Sequence, residues 1–128
     1  MHKVVFHVDE LDKWDHTLSN ITNLIDYGQE NKEQYHIVVL VNGDAIEGYL
    51  DQQLRSKVAQ FSDEGVRFHA CNNSMHTHGI TENQLPEDVE IVSAVVVDLV
   101  YLQVQVFAYA HAYCLVHTGS LFSLLLIS

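Results

Sequence analysis

The sequence predicts an α/β fold in which a mainly parallel sheet is covered by helices on both faces. Short apolar runs rich in β-branched residues alternate with longer segments whose apolar residues recur at helical spacing. The loops between them are short, as they are in successive β–α–β units. The chain has 128 residues, of which 48% are hydrophobic and one is proline, so we expect one compact domain and no second one.

The first strand–helix pair is predicted near the amino end of the chain. Residues 3–8 are an apolar run that stops at Asp9, which favours a strand buried on both faces. Between residues 14 and 27 the apolar side chains form one helical stripe. We predict that Gly28 ends this helix, because glycine is the usual residue just past a helix end.

A second strand–helix pair follows at once. Residues 35–41 are a continuous apolar strand that ends in a turn at Asn42 and Gly43. One uninterrupted helix is predicted next, with an inward stripe from Ile46 to Phe61.

The remaining predicted elements are shorter. Residues 66–70 predict a third strand, and residues 89–92 predict a fourth. Ser93 is a suitable N-cap for a helix that extends to about Gln105. The last strand is expected at residues 107–109, which gives five strands in all.

Three of the predicted strands end in side chains that can carry chemistry. The first ends near His7, the second at Asn42 and the third at Cys71. Sites in parallel sheets form at the carboxyl ends of the strands. A cysteine between a strand and a turn or helix start can be stabilised as the thiolate, which is the reactive form. We therefore take Cys71 as the candidate reactive residue, with His7 and Asn42 in support.

The neighbours of Cys71 in the sequence fit the same interpretation. Three histidines could supply positive charge or take up the thiol proton, and two asparagines could donate hydrogen bonds to the sulfur. These are His69, His76, His78, Asn72 and Asn73. No acidic residue occurs between Gly65 and Glu82. A thiolate placed there could attack a polarised sulfur, hold it as a persulfide and release it to a second thiol.

Other interpretations of these residues stay open. Cys71 could fill a strand end as a small apolar side chain, and His7 could be a core histidine with satisfied hydrogen bonds. The cysteine with His76 and His78 could instead form a pocket for a metal or small anion, although no Cys-x-x-Cys pair supports a metal site.

Charge and composition disfavour several classes of function. The chain has 17 acidic and 6 basic residues, a formal charge of −11 that opposes binding to nucleic acid or to anionic membranes. Residues 99–128 carry no formal charge, but polar side chains interrupt them too often for a membrane span. Because glycine-rich nucleotide motifs and a phosphate-binding lysine loop are absent, no cofactor is expected. The short apolar start and the presence of only two cysteines favour the reducing cytoplasm.

Residues 65–74 carry a specific sequence pattern. They read Gly-Val-Arg-Phe-His-Ala-Cys-Asn-Asn-Ser, and they match Gly-Val-x-Phe-x-x-Cys-x-Asn-Ser/Thr without a gap. This block resembles the DsrE/DsrF-like family. Further matches lie at residues 3–8, 41–43, 102–103 and 107–109. The resemblance therefore defines a domain at residues 1–109.

The resemblance to the DsrE/DsrF-like family implies both a fold and an activity. The implied fold is a three-layer α/β/α sandwich with a mainly parallel five-stranded sheet, assembled as trimers or hexamers. The implied activity is that of a sulfur carrier: Cys71 would accept a persulfide sulfur from a donor protein and pass it to an acceptor protein.

Two features depart from the family pattern. Val106 stands where the family commonly has a glycine before the last strand, and a β-branched residue resists the left-handed conformation that such a glycine serves. A different turn is therefore expected. Residues 110–128 form an uncharged apolar extension that we leave unassigned, with a buried contact between subunits as one interpretation. If that contact is the main task, the chain is an interaction subunit rather than a sulfur carrier.

Overall fold

The structure is a computed structural model that describes residues 1–111, so the extension from residue 112 onward lies outside the described part. The strands are β1 (His2–Val8), β2 (Tyr35–Val41), β3 (Arg67–Cys71), β4 (Val89–Val92) and β5 (Ala108–His111). The α-helices are α1 (Trp14–Asn31), α2 (Gln52–Asp63), α3 (Asn72–Thr77) and α4 (Val95–Val104). Short 3₁₀ helices lie at Leu11–Lys13, Gly43–Leu50 and Glu82–Gln84.

The five strands form one sheet in the order β4-β3-β2-β1-β5, and every pair is parallel. All strands therefore end at the same edge of the sheet. The register pairs His7 with His111 and Val41 with Ala70. One step beyond the second of these pairs, Asn42 and Cys71 lie at the same level of neighbouring strands.

Helices cover both faces of the sheet, which confirms the predicted three-layer α/β/α sandwich. On one face, Val39 and Phe68 pack with residues of α1, α2, α3 and the 3₁₀ helix at Gly43–Leu50. On the other face, Val38 and Leu40 pack with Leu102 of α4. Within residues 1–111, no helix combines the length and apolar character needed to cross a membrane.

The first helix continues past the residue that was predicted to end it. α1 includes Gly28 and ends at Asn31, with Lys32 as its C-cap at a φ of 55°. Gly28 is buried, and a Cβ at this position would lie 2.6 Å from the backbone oxygen of Glu33. The glycine is therefore needed for a close approach of two chain segments inside the helix, and the predicted stop is wrong.

The predicted second helix is divided into two elements. The 3₁₀ helix at Gly43–Leu50 ends at Asp51, whose side chain accepts a hydrogen bond from the Leu54 backbone N–H at 2.9 Å. Asp51 is thus the N-cap of α2. A capping carboxylate satisfies a helix N–H that has no intrahelical partner, so a new helix begins there.

The turn after α4 keeps the left-handed conformation, contrary to the prediction from Val106. This valine has a φ of 68°. Its N–H bonds to the oxygen of Gln103, and the N–H of Phe107 bonds to the oxygen of Leu102. These two bonds and the apolar contact of Leu102 with Phe107 define a Schellman motif. At the other end of the helix, Ala94 and not Ser93 is the N-cap.

Candidate functional site

Cys71 is the last residue of β3 and directly precedes α3. Phe68 and Ala70 belong to the core on the α1 face, so strand alternation turns His69 and Cys71 toward the α4 face. The cysteine is buried, with 2% of its surface exposed. Within residues 1–111 its thiol makes no hydrogen bond.

A polar chain crosses three strands at the same edge of the sheet. Nε2 of His7 lies 2.7 Å from Oδ1 of Asn42, and Nδ1 of His7 lies 2.7 Å from the hydroxyl of Tyr109. An amide oxygen can only accept, so Nε2 carries the hydrogen and donates it to Asn42. Nδ1 of the neutral ring then accepts a hydrogen bond from the Tyr109 hydroxyl.

The protonation states of this chain agree with that assignment. Burial lowers the pKa of His7 below 6.5, although the hydrogen bond to Asn42 and the charge of Asp9 act in the opposite direction. Burial and the charge of Asp9 raise the pKa of Tyr109 above 10. Near neutral pH the Tyr109 phenol and the His7 imidazole are therefore both uncharged.

Asp9 and His111 extend the polar chain on its outer side. Nε2 of His111 lies 3.1 Å from Oδ1 of Asp9, and the rings of His7 and His111 are 5.6 Å apart. Burial acts to raise the pKa of Asp9, but the hydrogen bond with His111 and the histidine charges lower it overall. The edge of the sheet thus holds the Asp9 carboxylate beside the uncharged, hydrogen-bonded side chains of Tyr109, His7 and Asn42, which we call the His7 relay.

Asn42 lies between His7 and Cys71. β2 separates β1 from β3, so His7, Asn42 and Cys71 follow one another across the edge. Asn42 has an extended backbone and its N–H bonds to the oxygen of Val8 at 3.0 Å. Because its amide oxygen is held by His7, its amide N–H groups are the atoms left for a ligand or for the sulfur.

α3 is attached to the same edge through Ser74. The backbone N–H of Gly43 donates to the Ser74 hydroxyl at 2.8 Å. This bond joins the turn after β2 to the helix that follows Cys71 and helps to hold that helix against the end of the sheet.

The other predicted supporting residues lie in different surroundings. His78 is held by Glu47, with Nδ1 2.6 Å from Oε2, and its Nε2 is 3.4 Å from Asp44. His69 is buried and bonds to Asp98 of α4. His76, Asn72 and Asn73 are exposed. None of these five side chains hydrogen-bonds to Cys71 in the part of the chain that the structure describes, so their tuning of the thiol stays a prediction.

The predicted metal alternative gains no geometric support. Among residues 1–111, no three His, Cys, Asp or Glu side chains converge as ligands of a metal ion. The histidines near Cys71 in the sequence point to separate partners, His78 toward the 3₁₀ helix and His69 toward α4.

Tyr109, His111 and Asp9 were not identified as site residues from the sequence. Tyr109 and His111 reach His7 and Asp9 only because β5 pairs with β1, across 102 positions of the chain. The sequence analysis uses Asp9 only as the residue at which the first predicted strand stops. The alternation of Tyr109 and His111, at the end of the predicted last strand and two residues beyond it, is the signal that could have shown these two.

Comparisons with known proteins agree with the fold. The sequence model of the DsrE/DsrF-like family matches residues 9–111. The structure is similar to that of the protein of unknown function MTH1491 from Methanobacterium thermoautotrophicum, with 29% identity and a TM-score of 0.78 over 88% of this chain and 100% of that one. It shares its fold with the ychN protein from E. coli, at 18% identity and a TM-score of 0.66 over 88% and 100% of the two chains. No curated protein matches the chain significantly.

Proposed function

The chain belongs to the DsrE/DsrF-like family, and from this premise we propose that it carries sulfane sulfur as a persulfide on Cys71. Family members are generally associated with sulfur relay. The observation that supports the proposal most directly is the position of Cys71, level with Asn42 at the edge where the His7 relay ends. A protein thiol, an amide donor and a neutral imidazole are thereby arranged across three adjacent strands.

Two features near Cys71 bear on its sulfur, namely the charge of the local sequence and the side-chain amide of Asn42. No Asp or Glu occurs between Gly65 and Glu82, so the segment around Cys71 brings no negative charge of its own. Amide N–H groups such as those of Asn42 can donate to a thiolate or to a terminal persulfide sulfur.

The proposed reaction needs no external oxidant. The Cys71 thiolate attacks the outer sulfur of a donor persulfide, the S–S bond of the donor breaks, and the donor leaves as a thiolate. An acceptor thiolate then attacks the outer sulfur on Cys71, which regains its thiolate. One sulfur atom moves in each step. Its oxidation state does not change, because one thiolate attacks and another thiolate leaves.

The burial of Cys71 sets a condition on this chemistry. A thiol with 2% exposure can meet a donor only when the segment that covers it opens. α3 has six residues, follows Cys71 directly and is joined to the turn after β2 by the Gly43–Ser74 bond, and we propose that its displacement opens a path to the sulfur. Spontaneous local opening would admit a small donor, and docking of a donor protein would favour the same displacement.

Intact mass spectrometry tests the sulfur carrier directly. After incubation with a low-molecular-weight persulfide, the protein should gain one sulfur atom, about 32 Da, which a reducing thiol removes. Cys71→Ser should abolish the gain, whereas Cys114→Ser, the matched control at the second of the two cysteines, should keep it. An adduct that persists in Cys71→Ser and disappears in Cys114→Ser would contradict the proposal.

We also propose that the chain assembles with copies of itself through α4. Val96, Val100 and Val104 are exposed at four-residue spacing and form an apolar stripe along this helix. Exposed apolar stripes of this kind promote association. Val100→Glu should shift sedimentation toward the monomer, and an unchanged distribution would place the contact elsewhere.

A further inference from the structure

His69 and Asp98 form a buried pair on the α4 face that the sulfur chemistry does not use. Nδ1 of His69 lies 2.7 Å from Oδ2 of Asp98, and the two residues are 4% and 7% exposed. A carboxylate can only accept, so Nδ1 carries the hydrogen and donates it to Asp98. In the neutral ring, Nε2 is then an acceptor.

Nε2 of His69 is buried and has no hydrogen-bond partner among residues 1–111. It points toward Glu90, but the distance to Oε2 is 3.7 Å, too long for a hydrogen bond. The Glu90 carboxylate is instead engaged by Arg67, with contacts of 3.0 and 3.1 Å from Nη2. Because a buried acceptor without a partner is unfavourable, a ligand that donates to this nitrogen is preferred over one that cannot.

A cavity of about 330 Å³ lies beside this nitrogen, between α4 and the strands β3 and β4. Its apolar lining comes from Val92, Val97 and Leu102. The polar or charged residues that line it are Arg67, His69, Glu90, Ser93, Asp98, Tyr101 and Gln105. Arg67 and Glu90 are 55% and 54% exposed. Because exposed ion pairs contribute little to stability, this pair can move aside and open Nε2 to the cavity.

We propose that this cavity binds a small, mainly apolar molecule through a neutral hydroxyl or thiol group that donates to Nε2 of His69. The apolar walls suit the body of such a molecule, and the Asp98–His69 pair fixes the acceptor that selects its polar end. Asp98 is a positioning residue, since it acts by setting the tautomer of the imidazole. The site is separate from the proposed sulfur carrier and does not require Cys71.

Two probes of similar shape test the proposal. Phenol can donate a hydrogen bond, whereas anisole can only accept one. In NMR titrations of the full chain, phenol should bind about tenfold more tightly than anisole, since only phenol satisfies the buried acceptor. The nitrogen spectrum of His69 in the unliganded protein should show hydrogen on Nδ1 and none on Nε2.

The preference for phenol in Asp98→Asn tests whether Asp98 sets the tautomer of His69, since a purely structural role of Asp98 would leave that preference unchanged. The amide can donate to Nδ1, which shifts the hydrogen to Nε2 and converts the acceptor into a donor. The preference for phenol should then fall to about twofold or less. Cys71→Ser should leave phenol binding unchanged, so the result is independent of the sulfur proposal.

Several outcomes would overturn the proposal. These are equal binding of the two probes to the unmodified chain, a preference for phenol that persists in Asp98→Asn, loss of phenol binding in Cys71→Ser, or hydrogen on Nε2 in the unliganded protein. Hydrogen on both ring nitrogens would show His69 as an imidazolium shared by Asp98 and Glu90, and hydrogen on Nε2 alone would show the opposite neutral tautomer. If Asp98→Asn fails to fold, the two probes and the nitrogen spectrum of the unmodified chain still decide the question.

Discussion

Replacing Val106 by glycine should stabilise the protein. Val106 has a φ of 68° and is 81% exposed, so its side chain contributes little burial while its backbone is unfavourable. The left-handed conformation costs an L residue about 1–2 kcal/mol. Glycine removes that cost, but its greater freedom in the unfolded chain takes back about 0.4–1 kcal/mol. The expected net gain is about 1 kcal/mol in the free energy of unfolding, or about 4 °C in Tm.

The assay is urea unfolding at fixed protein concentration, followed by circular dichroism, because association would otherwise shift the midpoint. Val97→Gly is the matched control, since it makes the same chemical change at an exposed position within α4. That variant should lose about 0.3–0.5 kcal/mol, because glycine has a lower helix propensity than valine. If both variants are destabilised, Val106 does not adopt the left-handed conformation and the Schellman motif described here is incorrect.

Three further predictions concern other parts of the molecule. Ser74→Ala removes the hydrogen bond to the Gly43 N–H, which is worth about 0.5–1.5 kcal/mol. The reaction of Cys71 with a chromogenic disulfide should therefore become about threefold to tenfold faster. An unchanged rate would show that α3 does not control access to the thiol. Asp51→Ala removes the N-cap of α2 and should lower the free energy of unfolding by about 1 kcal/mol, as measured by thermal denaturation. Asp51→Asn should retain most of the stability, because asparagine also caps helices. Since the folded-state pKa of His7 lies below 6.5, the unfolded chain binds the proton more readily, and stability is lost as the pH falls below 6.5. His7→Gln should flatten urea midpoints across that pH range, and an equal slope in both proteins would refute this account.

The strands and the position of Cys71 could be predicted because they depend on local patterns. A continuous apolar run such as 35–41 needs no knowledge of its neighbours to indicate a strand buried on both faces. The sequence around Cys71 likewise places that residue at a strand end, which β3 confirms.

The features that escaped prediction depend on contacts between distant segments or on a choice among local rules. Gly28 has the sequence character of a helix stop, but its role comes from the approach of Glu33. Asp98 faces a histidine 29 positions earlier in the chain. Val106 adopts the left-handed backbone that a Schellman motif requires, although valine disfavours it. The hydrogen bonds of the turn therefore outweigh the conformational preference of the residue.

The strand order has a consequence for how this molecule is made. β1 receives its second neighbour only from β5, and the bonds His7–Tyr109 and Asp9–His111 each join groups synthesised 102 residues apart. A nascent chain that has emerged as far as α4 therefore presents an open strand edge with half of its polar network missing. Such edges invite pairing with other chains, so β5 both completes the polar network and covers the open edge of β1 during synthesis.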